Sequence, residues 1–179
     1  SIAGIQSTSL PKDTYVIAAG AHSVIYGTTN GTDWASQKDM FGETVSPLQV
    51  AAISATQAVV VGSAGGNNSY RTTDGSTWAA YDIDGGATSL STIECNTQCN
   101  CFTGGDSGYL VYTNDSGDSW TSTATGVGSA TIRDIEFGDD YRAFFSSSVI
   151  PQTVSCGISM SPLSTQAVLG GYYPPSLVI

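Results

Sequence analysis

The chain has 179 residues, and its 15 acidic and 5 basic residues give a formal net charge of −10. This length suits one domain or a compact array of repeats. With 40% hydrophobic and 11% charged residues, the composition excludes a disordered tail and a highly charged coiled coil. No apolar run approaches the ~20 residues that cross a bilayer, so we expect no membrane insertion. Residues 1–10 show no signal peptide, as would also be true of a chain whose leader had been removed.

The basic residues are too few and too scattered for a nucleic-acid-binding protein. Binding to a phosphate backbone needs clustered cations that release counterions. We therefore expect no nucleic-acid partner. The cations are Lys12, Lys38, Arg71, Arg133 and Arg142.

Short strands are favoured over helices. The sequence is rich in Thr, Val, Ile and Tyr, and 21 glycines punctuate it. β-branched and aromatic residues separated by glycine are typical of strands joined by tight turns. We therefore expect an all-β protein.

Three similar phrases, each ending in tryptophan, recur along the chain. Trp34, Trp78 and Trp120 are separated by 44 and 42 residues. Each phrase follows a run ending in tyrosine (Tyr26, Tyr70 or Tyr112), and an apolar strand precedes that run. The phrases span residues 28–34, 72–78 and 113–120.

A period of roughly 40–45 residues carrying four strands is the length of a propeller blade. Within each phrase, an Asp or Asn side chain bonds the backbone of the turn, and the following Gly adopts positive φ without strain. We expect each terminal Trp to pack against the neighbouring hairpin. The predicted fold is a single β-propeller domain over residues 1–179, with about four four-stranded antiparallel blades. The blades approximate residues 2–40, 46–82, 87–125 and 129–179, the last without an Asp–Trp phrase, and one chain or several could close the ring.

The phrases resemble the Asp-box, or bacterial neuraminidase repeat, family, whose pattern is Ser/Thr-x-Asp-x-Gly-x-Thr-Trp. The third copy matches at every fixed position if Ser119 is allowed for Thr; the other two are one residue shorter, and Asn30 replaces Asp in the first. The resemblance implies structural roles for these residues. They are Thr28, Asn30, Gly31, Trp34, Thr72, Asp74, Gly75, Trp78, Thr113, Asp115, Gly117 and Trp120.

The rhythm of strand, Tyr and Thr-x-Asp-Gly–Trp is also similar to that of the lumenal photosystem II assembly factors of cyanobacteria and plastids. That resemblance implies a lumenal partner-binding propeller. It also implies a basic patch for partner binding, which the five cations of this chain do not supply.

Four cysteines form an even set, and their spacing lacks the paired knuckles of a structural zinc site. Disulfides in an oxidising compartment are therefore favoured over zinc or free thiols. Three pairings are possible. A hairpin over residues 93–101 that turns near Thr97 would place Cys95 opposite Cys99 and leave Cys101 for Cys156, and this is our working pairing.

Asn30, Asn67 and Asn114 each begin a triplet that matches an N-glycosylation site. Together with the cysteines, these triplets indicate a secreted or extracellular glycoprotein, with an oxidising organelle lumen such as the thylakoid lumen as the alternative.

No catalytic constellation is apparent. A sialidase needs three arginines around a carboxylate, a Tyr–Glu pair and an acidic Asp, yet Arg71 adjoins an Asp-box at the outer turn of a blade. None of the glutamates has the family's Tyr partner, and a Ser-His-Asp triad would depend on His22, which lies in a predicted surface turn. We therefore expect no enzyme, with a two-carboxylate glycoside hydrolase as the alternative. The glutamates are Glu43, Glu94 and Glu136.

We expect no cofactor, and calcium is the one metal for which ligand fragments exist. Several aspartates are closely spaced, but the Glu of an EF-hand loop is missing. The fragments lie at residues 82–85, 115–118 and 139–140.

The sequence thus predicts a non-catalytic propeller that acts by presenting surfaces to a protein partner or to its own copies. A carbohydrate-binding propeller is the alternative, since Tyr172 and Tyr173 could stack on sugar rings.

Overall fold

The computed structural model describes residues 2–4, 16–20, 24–28, 32–39, 47–54, 56–63, 67–83, 88–96, 100–137, 142–147 and 152–155. These residues form fifteen strands in four antiparallel sheets, together with one short 3₁₀ turn at Asp106–Gly108. The predicted all-β class is confirmed. Within the described ranges, no helix is long and apolar enough to span a membrane.

Each sheet is a meander in which consecutive strands pair. Blade 1 contains β1 (Ile2–Gly4), β2 (Val16–Gly20), β3 (Val24–Thr28) and β4 (Ala35–Asp39). Blade 2 contains β5 (Pro47–Ala52), β6 (Ala58–Gly62), β7 (Ser69–Thr72) and β8 (Trp78–Tyr81). Blade 3 contains β9 (Leu90–Asn96), β10 (Asn100–Gly105), β11 (Leu110–Thr113) and β12 (Thr121–Ser122). Blade 4 contains β13 (Ile132–Phe137), β14 (Arg142–Ser147) and β15 (Gln152–Ser155), and residues after 155 lie outside the described ranges.

The first strands of successive blades contact one another. β1 contacts β5, β5 contacts β9, and β9 contacts β13. Sheets that meet along their first strands are arranged radially about an axis, which is the propeller architecture. No contact of comparable extent joins β13 to β1 in the described part of the chain. The predicted β-propeller is therefore confirmed as a partial propeller.

The apolar core lies between the blades rather than within any one of them. β6 shows this most clearly, because all five of its residues are buried, as expected for a strand with a neighbouring sheet on each face. Ile25 of blade 1 packs with Val60, Tyr70 and Trp78 of blade 2. Similar clusters fill the spaces between blades 2 and 3 and between blades 3 and 4.

The strand register defines which residues are equivalent among the blades. Thr72 lies opposite Ala58, and Thr113 lies opposite Cys101, each at the end of its third strand. Counting back from these threonines makes Val111, not Tyr112, the equivalent of Tyr70. The tyrosine runs of the sequence therefore align in the first two blades, whereas Tyr112 occupies the position of Arg71.

The one disulfide among the described residues joins Cys95 to Cys101. These residues lie directly opposite each other on β9 and β10, and Asn96 pairs with Asn100. The working pairing of Cys95 with Cys99 and of Cys101 with Cys156 is therefore wrong in both halves. The hairpin has the expected strands, but its turn is centred one residue later than Thr97, which exchanges Cys99 for Cys101 as the cross-strand partner. Cys99 and Cys156 lie outside the described residues.

Peptide mapping of the unreduced protein is expected to recover Cys95 linked to Cys101. Replacing both with Ser should lower the free energy of unfolding by about 2 kcal/mol, because the unfolded chain regains the entropy of a short closed loop. Urea denaturation of the wild type with and without reductant provides the matched comparison. Recovery of a Cys95–Cys99 peptide would contradict the observed register.

Candidate functional site

The Asp-box of blade 2 is a turn held by two side chains. The Thr72 hydroxyl donates to Asp74 Oδ1 at 3.1 Å and accepts from the Gly75 amide at 2.9 Å. Asp74 Oδ1 also accepts from the amides of Ser76 and Thr77 at 2.8 and 2.7 Å. Gly75 has φ of 76°, a conformation that favours glycine. Side chains therefore take over the backbone hydrogen bonds that this turn cannot make for itself.

The Asp-box of blade 3 keeps this arrangement despite one extra residue. Thr113 Oγ1 donates to Asp115 Oδ1 at 2.6 Å and accepts from the Gly117 amide at 2.9 Å, while the Ser119 amide donates to Asp115 at 2.9 Å. The extra residue is accommodated by two consecutive left-handed residues, Ser116 and Gly117, with φ of 62° and 83°. In blade 1, Thr28 is buried, and Asn30 and Gly31 lie outside the described residues.

Hydrogen bonds hold both turn carboxylates in the charged form. Amide donation from Thr77 and then Ser76 lowers the pKa of Asp74. Hydrogen bonds from the Ser119 and Thr113 side chains, and then from the Ser119 amide, lower the pKa of Asp115 to about 2. In the predicted calcium fragment at residues 115–118, the Asp115 carboxylate is thus hydrogen-bonded within its own turn, and the Asp118 carboxylate is bonded to Arg71. No group of three or more potential metal ligands occurs among the described residues, and Asp84, Asp139 and Asp140 lie outside them.

Two tryptophans contact the preceding blade, and the first does not. Trp78 is buried, and its indole Nε1 donates to Gln37 Oε1 of blade 1 at 3.4 Å. The Gln37 side chain lies directly over Gly27. A Cβ added at Gly27 would lie only 2.7 Å from the side-chain amide nitrogen of Gln37. Trp120 packs against the cluster between blades 2 and 3. Trp34 is 43% exposed, and no described blade precedes blade 1, so for Trp34 the expected packing on a neighbouring hairpin is not seen within the described ranges.

A different polar contact joins blades 2 and 3 at their outer edge. Arg71 Nη1 lies 2.6 Å from Asp118 Oδ1, and the Tyr81 hydroxyl donates to the Asp118 carbonyl at 2.9 Å. Arg71, a residue that a sialidase would need for its substrate, is therefore paired with the Asp-box of the next blade. Tyr81 lies three residues after Trp78, as Gln37 does after Trp34, but its hydroxyl is engaged by Asp118, and the buried Trp120 Nε1 has no hydrogen-bond partner among the described residues.

Three acidic residues lie on the contacting inner strands of blades 3 and 4. Glu94 of β9 is partly buried, and Asp134 and Glu136 lie on β13. Desolvation, followed by repulsion from Glu136 and Asp134, raises the pKa of Glu94 to about 7. We call Glu94, Asp134 and Glu136 the inner acidic group. Sequence reasoning noted Glu94 and Glu136 but missed their proximity, although their separation of 42 residues equals that of Trp78 and Trp120.

The other predicted site residues are dispersed. Asn114 is exposed beside Asp115, whereas Asn67 is partly buried and the Ser69 hydroxyl of its triplet donates to the Tyr81 carbonyl at 2.7 Å. Arg133 is exposed on β13, and only the backbone of Arg142 is described. Several candidates lie outside the described residues, namely His22, Glu43, Tyr172 and Tyr173.

Replacing Asp115 with Ala is expected to lower the free energy of unfolding by about 1 kcal/mol, because the Ser119 amide loses its acceptor. Asn114→Ala, an exposed change in the same turn, is the control and should have little effect. The pKa of Asp115 is lowered in the folded state, so its contribution is present above pH 4 and is lost as the pH falls towards 2. Urea denaturation at neutral and acidic pH measures both effects; an equal loss at both would contradict the carboxylate's role.

Glu94→Gln is expected to raise the melting temperature more at pH 8 than at pH 5. The pKa of Glu94 is raised from 4.5 to about 7 on folding, so the native state holds a proton that the unfolded state releases between these values. Stability therefore falls as the pH rises through this window, and glutamine removes the fall. Asp82→Asn, at an exposed carboxylate outside the inner acidic group, is the matched control. A pH-independent effect of Glu94→Gln would contradict the argument.

Solved structures with a similar fold include two of YCF48. The structure described as YCF48 bound to D1 peptide has a TM-score of 0.61 and 11% identity, covering 82% of this chain and 46% of that chain. YCF48 from Cyanidioschyzon merolae has a TM-score of 0.56 and 16% identity, covering 80% and 53%. This chain therefore spans about half the length of those proteins. No family model and no curated protein matches the sequence. Identities this low establish the fold alone, and that fold is the β-propeller.

Proposed function

We propose that the chain is a non-catalytic propeller that binds a segment of a protein partner. The observation that carries the proposal is its similarity in fold, over 82% of its length, to a propeller solved in complex with a peptide. Propellers bind through the loops and strand ends around their axis, where successive inner strands leave a shared surface. In this chain that region includes the inner acidic group.

The charge of the chain favours a basic partner segment. The formal net charge is −10, and the inner acidic group places three carboxylates close together. A partner with Lys or Arg residues would offset the mutual repulsion of these acidic residues, and it would be steered towards this surface at low ionic strength. This chain would thus select a basic partner segment, whereas a propeller with a basic patch would select an acidic one.

The absence of catalysis is part of the proposal. Arg71 is occupied by Asp118, and the Asp-box carboxylates are occupied by their own turns. These contacts support a structural role for the residues that a glycosidase would need for catalysis. Incubation with generic aryl glycosides should therefore release no aglycone above the rate of the buffer, and measurable turnover would overturn the non-catalytic assignment.

An oxidising compartment is the proposed location, either extracellular or within an organelle lumen. The disulfide between Cys95 and Cys101 supports this location, since such bonds persist where thiols are not kept reduced. Asn114 is the triplet asparagine most accessible to glycosylation among the described residues. A photosystem assembly-factor-like role in a thylakoid lumen is the second candidate, and the similar structure with a D1 peptide favours it.

Peptide titration tests the proposal. Fluorescence anisotropy would compare labelled peptides of equal length and opposite charge with the D1 peptide. The basic peptide should bind saturably, more weakly as salt is added, and more weakly to a variant carrying Glu94→Gln and Glu136→Gln. The Asp82→Asn variant, altered at an exposed carboxylate, should bind like the wild type. Saturable binding of the D1 peptide alone would favour the assembly-factor-like role, and no saturable binding of any peptide would overturn both.

A further inference from the structure

Blades 1 and 4 expose side chains whose equivalents in blades 2 and 3 are buried. Tyr26 and Trp34 are each 43% exposed, and Phe144 is 40% exposed. The one other large exposed hydrophobic side chain among the described residues is Leu48, which lies in an inner blade. Aromatic side chains contribute much of the apolar area that folding buries, so their exposure at positions that are otherwise buried in a blade junction points to a missing neighbour.

The exposed face of blade 1 is the one that elsewhere packs on a preceding blade. Tyr26 pairs with Ala18 as Tyr70 pairs with Val60, so the two tyrosines are equivalent. Tyr70 is only 2% exposed, because it packs against Ile25 of blade 1 and lies 5.4 Å from Lys38 Nζ. Trp34 is likewise the exposed equivalent of the buried Trp78. We call the surface of Tyr26 and Trp34 the leading face.

The exposed face of blade 4 is the one that elsewhere packs on a following blade. Phe144 pairs with Glu136 in the same register as Phe102 pairs with Glu94 in blade 3. Phe102 is buried, and its ring centroid lies 5.9 Å from that of Phe137 in blade 4. No blade follows Phe144 among the described residues, which end at residue 155. We call its surface the trailing face.

We infer that the trailing face of one copy docks on the leading face of a second copy. The two faces are the halves of one regular blade junction, and the chain carries one half at each end of its described blades. Contacts between unlike faces close into a ring when the rotation permits. Two copies would also supply about the span of the similar YCF48 structures, of which one copy covers 46% and 53%. This inference rests on the fold and does not require the proposed peptide binding, but Glu136 of the inner acidic group is the cross-strand neighbour of Phe144, so the second copy and a basic peptide would compete for this surface.

The net charge of each copy makes formation of the dimer depend on ionic strength. Each copy carries a formal net charge of −10, so long-range repulsion opposes association at low ionic strength. Burial of aromatic side chains is little affected by moderate salt. The dimer is therefore expected to become tighter as salt is added, whereas binding of a basic peptide becomes weaker. The two proposals thus fail under distinguishable conditions.

Sedimentation equilibrium over a range of protein and salt concentrations tests the inference. The wild type should shift from 18.4 kDa towards twice that mass. Tyr26→Glu and Phe144→Glu should each raise the dissociation constant by at least about tenfold, since each buries a charge in the junction. Leu48→Glu, an exposed change outside both faces, is the control and should dimerise like the wild type.

Mixing the two variants identifies which faces meet. A pair of one Tyr26→Glu and one Phe144→Glu chain retains one unaltered junction, so the mixture should associate more tightly than either variant alone. If like faces met instead, one of the two single variants would dimerise normally, and the head-to-tail arrangement would be wrong. A wild type that stays at 18.4 kDa under all conditions would overturn the inference. So would monomeric variants with a lowered melting temperature, because their own chain would then cover these faces.

Discussion

Packing of each blade on the one before it is the constraint on which the rest of this structure depends. A single four-stranded sheet has two apolar faces and little interior, so burial must come from neighbours. Tyr70 and Trp78 of blade 2 are buried only because blade 1 supplies Ile25 and Gln37. The same two positions in blade 1, Tyr26 and Trp34, are exposed. The contrast between identical residue types in equivalent positions separates the contribution of the neighbouring blade from that of the residue itself.

The Asp-box turns make this stacking possible at the outer edge. Thr72 and Asp74 satisfy the amides of a turn too tight to satisfy them with backbone carbonyls, and Thr113 and Asp115 do the same with one more residue. The carboxylates are therefore occupied locally and are held charged by their donors. Asp74 and Asp115 thus shape turns, whereas the charge of Glu94 is unfavourable where it lies.

Much of the architecture could be predicted from the sequence, because the repeat of tryptophan, glycine and aspartate is periodic and local. The spacing of Trp34, Trp78 and Trp120 was sufficient to predict blades made of antiparallel strands. The cysteine pairing failed because it depended on the turn of one hairpin to within a residue, and residue types do not fix that register. The inner acidic group was missed for another reason: Glu94 and Glu136 lie in different blades, and only the radial arrangement brings their strands together. The exposure of Trp34 was missed because it depends on what precedes a blade, which no local pattern records.

The polar contacts at the outer edges of the junctions have a consequence for how the chain assembles itself. All junctions share one apolar geometry, so a blade could in principle stack on the wrong partner during folding. The junction of blades 1 and 2 is matched by Gln37 and the Trp78 indole, whereas that of blades 2 and 3 is matched by Arg71 and Asp118. A misplaced blade would leave the Arg71 guanidinium without the Asp118 carboxylate. This loss is costly because the Arg71 side chain is mostly buried. The polar contacts that differ from one junction to the next thus favour the correct order of blades whose apolar contacts are alike.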